Sequence, residues 1–267
     1  MDGQYLDHVL PPGGEEQIWE LFHENSKLSP YSHSLSEKDA RQWMKDLYET
    51  LPFEGGLITP LPAFKSLDVP LSDAIANRVS ARHFARQSIS LATLATLLHF
   101  GYGISRENSG TSFIRSFRMI PSGGALYPLE VFFQSSHIAG IEPGLYHYHP
   151  GKHHVRLLRP GLHTGVIAEA MVQPDITQDA ALIIFITALF ERSIHKYGAR
   201  GYRFTLLEAG HLAQNLNLAC QGLHLGCLNI GGFFDRRIDE FLEIDGVTHS
   251  ALYLIAIGHN ERGELSP

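Results

Sequence analysis

Apolar and polar positions follow two different rhythms along this chain. Ala181–Leu189 is an apolar run of strand length broken only by Thr187, which predicts a strand covered on both faces and central in a sheet. Leu129–Gln134 and Leu252–Ile257 predict two further buried strands, and Gly144–His149 faces His154–Leu158 across Pro150-Gly151-Lys152 as a hairpin. From Tyr202 to about Leu225 the pattern turns helical and is apolar nearly all round (Leu206, Leu207, Ala209, Leu212, Ala213, Leu216). Such a helix is buried on most sides, in a core or a subunit interface. Ala209, Gly210 and Ala213 leave room on it for another backbone. Helices interrupted by strands without regular βαβ alternation predict the α+β class.

Earlier in the chain, Ser72 and Asp73 are placed to cap a short helix through Asn77 or Arg78. Ser90 is placed to cap a second, Leu91–Phe100, that Gly101 ends. Residues 1–66 form a distinct stretch, acidic and rich in Ser and His, with helical patterning in Glu15–Phe22 and Glu37–Tyr48. This stretch is expected to wrap a main domain, residues 67–267, through the Pro/Gly-rich connection Leu51–Pro70.

Composition narrows the function classes. Of 267 residues, 44% are hydrophobic and 18% charged, enough apolar material for a core. A formal charge of −7 disfavours a nucleic-acid protein, which carries a basic surplus. No apolar run reaches the roughly 18 residues of a membrane span, and the first residues show no signal-peptide pattern, so a cytoplasmic protein is expected. Cys220 and Cys227 are expected on one helix, roughly 10 Å apart and too far for a disulfide.

Four short constellations could carry chemistry. Arg78 and Arg82, with Ser80 between them, can converge on one phosphate through charge-assisted hydrogen bonds, or form a solvated basic turn. Pro121-Ser122-Gly123-Gly124 leads into a strand; paired glycines allow positive φ and bring main-chain N–H groups close to a flat ligand. An ordinary loop explains the same residues, and no Gly-Lys-Ser/Thr follows to make a phosphate loop. Lys196-Tyr197 precedes the long helix, where a partly desolvated Lys serves as a base or proton relay; a surface loop is the alternative. Gly231-Gly232 is a second glycine pair able to offer amides to an electron-rich ring atom. Glu20–His23 and Glu208–His211 have the Glu-x-x-His spacing of di-iron bundles, but 16 histidines make chance matches expected. No metal site is expected, and the imidazole-rich hairpin around His147 and His149 reads as partly exposed.

Taken in order, these motifs resemble the nitroreductase superfamily, and the form of Lys-Tyr-Gly-x-Arg-Gly-Tyr-Arg-Phe and Leu-Glu-Ala-Gly-His resembles its SagB-type, azoline-dehydrogenase branch. The resemblance runs from about Pro70 to Gly258, and His23–Leu28 resembles that branch's N-terminal region. It implies a nitroreductase-like α+β fold, a mainly antiparallel sheet flanked by helices, in a homodimer with FMN sites shared between subunits. On it, Arg78, Ser80, Arg82 and Arg262 would hold the FMN phosphate end, Pro121–Gly124 would lie against the ring, and Gly231 and Gly232 would face its N5 and O4. Lys196 and Tyr197 would be the catalytic pair. The implied reaction oxidises a thiazoline or oxazoline in a peptide natural product, the ring being made by a separate cyclodehydratase. Other readings are a general NAD(P)H-dependent nitro or quinone reductase and a flavin-free scaffold subunit. Val79 departs from the pattern, standing where many relatives carry another Arg.

Overall fold

The computed structural model describes residues 18–30, 35–47, 49–109 and 115–261. In chain order its elements are α1 (Ile18–Asn25), α2 (Glu37–Asp46), β1 (Ile58–Pro60), α3 (Leu71–Ala76), β2 (Phe84–Ala85), β3 (Ile89–Ser90), α4 (Leu91–Tyr102), β4 (Ile104–Arg106) and β5 (Phe117–Arg118). They continue with β6 (Leu129–Ser135), β7 (Ile138–Ala139), β8 (Gly144–His149), β9 (His154–Pro160), α5 (Thr164–Glu169) and β10 (Leu182–Leu189). Last come α6 (Glu191–Tyr197), α7 (Ala199–Gly222), β11 (Gly226–Ile230), α8 (Asp235–Leu242) and β12 (His249–Asn260).

The main sheet runs β1-β9-β8-β6-β10-β12-β11, with β2 added on β12, and every pair in it is antiparallel. As its apolar run requires, β10 is internal, between β6 and β12. Leu182, Ile184 and Ile186 face the helices α4 and α7, packing with Leu94, Leu97, Leu212 and Leu216. Ile183 and Phe185 face the other way, toward Ile167 of α5 and Ile238, Phe241 and Leu242 of α8. Helices on both faces leave no wet side for polar alternation, which is why the strand reads as continuous.

Several boundaries differ from expectation. Ser90 does cap α4, its Oγ accepting from Thr93 N–H at 3.1 Å, but the helix runs through Gly101 to Tyr102. Gly101 is there for packing: a Cβ on it would lie 2.8 Å from Leu216 of α7. Pro70 rather than Ser72 or Asp73 precedes α3, with no side-chain cap. Residues 15–17 and Tyr48 lie outside the described residues; α1 begins at Ile18 and α2 is capped by Ser36. The long helix ends at Gly222, so Cys227 stands on β11 rather than on α7, and the turn returns its thiol to bond with the Cys220 thiol. The spacing argument against contact therefore fails; both are free and buried.

A buried ionic knot ties the chain before β1 to the sheet. Glu130 on β6 meets Arg192 at 2.8 Å and His147 Nε2 at 2.8 Å, and accepts from Thr50 Oγ1 at 2.5 Å and Leu51 N–H at 3.2 Å. Burial opposes its charge, but Arg192, His147 and Thr50 together hold the carboxyl well below the usual range. No helix among the described residues is long and apolar enough to cross a membrane.

Candidate active site

The glycine turn and the Lys-Tyr pair meet within one chain. The turn before β6 holds Gly124 at φ 66°, ψ 19°, a left-handed conformation that glycine adopts freely. A Cβ built there would lie 2.5 Å from the Tyr197 hydroxyl and 3.0 Å from Lys196 Nζ, so both catalytic candidates close on the bare glycine. Gly123 sits against the Phe204 ring, which takes the Tyr197 ring edge-on at 5.1 Å. Lys196 and Tyr197 are half-buried in the last turn of α6. They stand on a helix, not in a surface loop.

Below this turn the structure adds groups that the sequence reading passed over. Ser122 Oγ accepts from Tyr127 N–H at 2.9 Å and its hydroxyl bonds the Glu208 carboxylate on α7. Tyr102 donates to Glu208 Oε1 at 3.4 Å and to the Leu129 carbonyl at 3.1 Å. Glu208 is buried while His211, its Glu-x-x-His companion, is exposed. No group of three or more metal-ligating side chains forms among the described residues. His147 is buried on Glu130, whereas His149 lies against His154 in a tilted contact, ring centroids 4.9 Å apart.

Facing Lys196 and Tyr197 is a pocket of about 350 Å³ whose other wall is Asn25–Ser29. That wall is pinned to α7: Arg200 Nη1 donates to the Ser26 carbonyl at 3.3 Å, and Arg203 Nε to Ser26 Oγ at 2.7 Å. Arg203 also donates to the His23 carbonyl. Arg200 and Arg203, the two arginines of the Lys-Tyr-Gly-x-Arg-Gly-Tyr-Arg-Phe motif, fix this wall.

The basic candidates lie elsewhere. Arg78 Nη1 donates to Ser80 Oγ at 3.4 Å, Arg82 is exposed, and Ser80 bridges Cys227 at the start of β11. Gly231 and Gly232 are exposed just past the other end of β11, roughly 13 Å further along the strand. Pro121 is exposed ahead of the glycine turn, and Arg262 lies outside the described residues. Cys227 touches Cys220 on α7, while Tyr197 touches Phe204 on the same helix. Those sixteen residues of helix are roughly 24 Å. One chain therefore does not bring the arginine segment and the Lys-Tyr pair together.

The comparisons agree with this architecture. Residues 75–259 match the Nitroreductase family, and the chain belongs to it. A Methanocaldococcus jannaschii protein with a provisional nitroreductase name is 34% identical over 178 residues, 66% of this chain and 86% of that one. The microcin B17-processing protein McbC of Escherichia coli is 31% identical, covering 53% of this chain and 54% of its own. The trifolitoxin-processing protein TfxB of Rhizobium leguminosarum is 27% identical, covering 54% and 40%. Among solved structures, a nitroreductase-like protein from Anabaena variabilis has a TM-score of 0.71 and 26% identity over 94% of this chain and 49% of that one. The chain thus spans about half the length of that protein (49%) and of McbC (54%). The E. coli microcin synthetase McbBCD, with truncated pro-MccB17 bound, shares the fold at a TM-score of 0.60 and 21% identity, over 91% of this chain and 92% of that one. A Desulfovibrio desulfuricans relative in complex with FMN shares it at 0.50 and 19%, over 75% and 92%.

Proposed function

We propose that this chain is an FMN-dependent azoline dehydrogenase of the SagB-type branch, oxidising thiazoline or oxazoline rings to thiazoles or oxazoles in a peptide natural product. The observation that carries this reading is the closure of Lys196 Nζ and Tyr197 Oη on the bare Gly124. A reductase fed by a nicotinamide needs no such pair. McbC and TfxB, named as peptide-processing proteins, support a peptide substrate, and the McbBCD assembly supports a cyclodehydratase partner.

The residues present fit FMN. Arg78, Ser80 and Arg82 offer charge-assisted donors to its phosphate. A Cβ at Gly124 would fill space on the Lys-Tyr side of the turn, and Gly231 and Gly232 expose backbone amides for ring atoms. When bound, FMN supplies the two-electron acceptor. Lys196 Nζ or Tyr197 Oη removes or relays the ring proton, and the Asn25–Ser29 wall holds the peptide beside them.

A homodimer completes the site. The exposed stripe of α7 carries Leu206, Leu207, Gly210, His211 and Gln214, and nothing lies within 4 Å of a Cβ placed on Gly210. Antiparallel pairing of two α7 helices about Gly210 would carry the Gly124–Lys196 cluster of one copy toward the Gly231–Gly232 turn of the other. Both cysteines are free thiols, in keeping with a reducing cytoplasm.

The test is Lys196→Ala and Tyr197→Phe in FMN-loaded protein, with a thiazoline peptide and a nitroaromatic as parallel substrates. Azoline oxidation falls by about 10²–10⁴-fold while nitroreduction survives. Unchanged azoline oxidation removes the pair from the chemistry. Protein that cannot be reconstituted with FMN points to a scaffold subunit.

A further inference from the structure

Glu208 has a burial that no step above uses. It is 2% exposed and the only carboxylate of α7, directly beneath the glycine turn. The groups that face it come from every element packed around it: Tyr102 from α4, Arg118 from β5, Ser122 and Tyr127 from the turn, and Arg192 from α6. An ionised carboxylate only accepts hydrogen bonds. Ser122 Oγ already takes the Tyr127 N–H at 2.9 Å, so its own proton is free to point at Glu208. One link then runs from helix α7 through a hydroxyl to the turn that receives Lys196 and Tyr197.

We propose that Glu208 is the positioning residue of this site: through the Ser122 hydroxyl, its carboxylate sets the shape of the Ser122–Gly124 turn on which Lys196 and Tyr197 close. The catalytic meaning of the link rests on the role given to that pair above. The link between Glu208 and the turn does not. Burial pushes the Glu208 carboxyl up to about 7, against the lowering by Ser122, Arg118, Tyr102 and Arg192. Protonation removes the charge that the Ser122 hydroxyl favours, so the link weakens and the turn relaxes. Above that midpoint the carboxylate returns and the turn is set, so azoline oxidation rises as pH rises through it.

The full chain, with and without FMN, is labelled at glutamate carboxyl carbons and glycine amides and titrated by NMR. The Gly123 and Gly124 amides shift with the same midpoint as the Glu208 carboxyl, near 7. In Glu208→Gln that shift disappears, kcat falls about tenfold with KM little changed, and the neutral limb of the kcat profile flattens. In Ser122→Ala, Glu208 still titrates but the glycine amides no longer follow; this variant decides the matter if Glu208→Gln fails to fold. Glycine amides that titrate unchanged in either variant, or a Glu208 titration that leaves them still in the wild type, overturn the proposal. A wild type that does not oxidise azolines sinks the functional reading alone, because the amide titration still reports on Glu208.

Discussion

Gly124→Ala puts the Lys-Tyr arrangement to its most direct test. At φ 66°, ψ 19° an L side chain costs ~1–2 kcal/mol, a fall of roughly 2–4 °C in Tm for a chain of this size. The new methyl would stand 2.5 Å from the Tyr197 hydroxyl and 3.0 Å from Lys196 Nζ, where ordinary contact starts at 3.4 Å. The hydroxyl must therefore retreat by roughly 1 Å. A misplacement of about 1 Å in a reacting group costs on the order of 10²-fold in rate. The stability loss is small and the rate loss large, so the two separate cleanly. The assay follows the loss of two hydrogens from a thiazoline peptide by mass spectrometry at saturating FMN, beside thermal melting. A variant that melts as expected yet turns over within about threefold of the wild type would falsify the claim that Gly124 sets the pair for chemistry.

Three further outcomes follow from the packing. Arg192→Met leaves the Glu130 carboxylate buried without its cation and costs ~3–5 kcal/mol, while the double variant with Glu130→Gln loses less than the sum of the two singles. Because the folded carboxyl of Glu130 is held below its ordinary 4.5, its stabilisation is present above that value and is lost as pH falls below it; Glu130→Gln shows a shallower acid limb in pH-dependent melting. Leu207→Glu, at a position 61% exposed on the α7 stripe, shifts the sedimenting species to monomer and lowers FMN affinity with it. Retention of the dimer would place the interface elsewhere.

The fold was legible where burial is two-sided or strictly periodic. The β10 strand, the β8–β9 hairpin and the long helix all appear close to where their apolar patterns put them. What escaped were ends and partners. Gly101 reads as a helix stop until Leu216, over a hundred residues away, explains it as a point of close contact. Cys220 and Cys227 read as helical neighbours because nothing local announces the turn after Gly222. Within the site, glycine pairs and Lys196-Tyr197 stood out through residue type and spacing. Glu208 was visible only as half of a metal-like spacing, yet a lone carboxylate on an apolar helix face is itself a signal of a buried partner. Its partners, Ser122 and Tyr102, lie too far along the chain for spacing to name.

The ionic knot at Glu130 also bears on how this protein is inherited. Residues 47–51 look in composition like a preface to the enzyme, separable from it. Yet Thr50 and Leu51 supply partners to Glu130, the Glu49 carbonyl accepts from Arg118 at 2.9 Å, and the Leu47 carbonyl accepts from Arg115 at 3.0 Å. Recombination that joined a foreign leader at residue 66 would strand buried cations and an anion that water cannot reach. Shuffling can exchange what precedes this short stretch, but the stretch itself travels with the sheet as a single heritable piece.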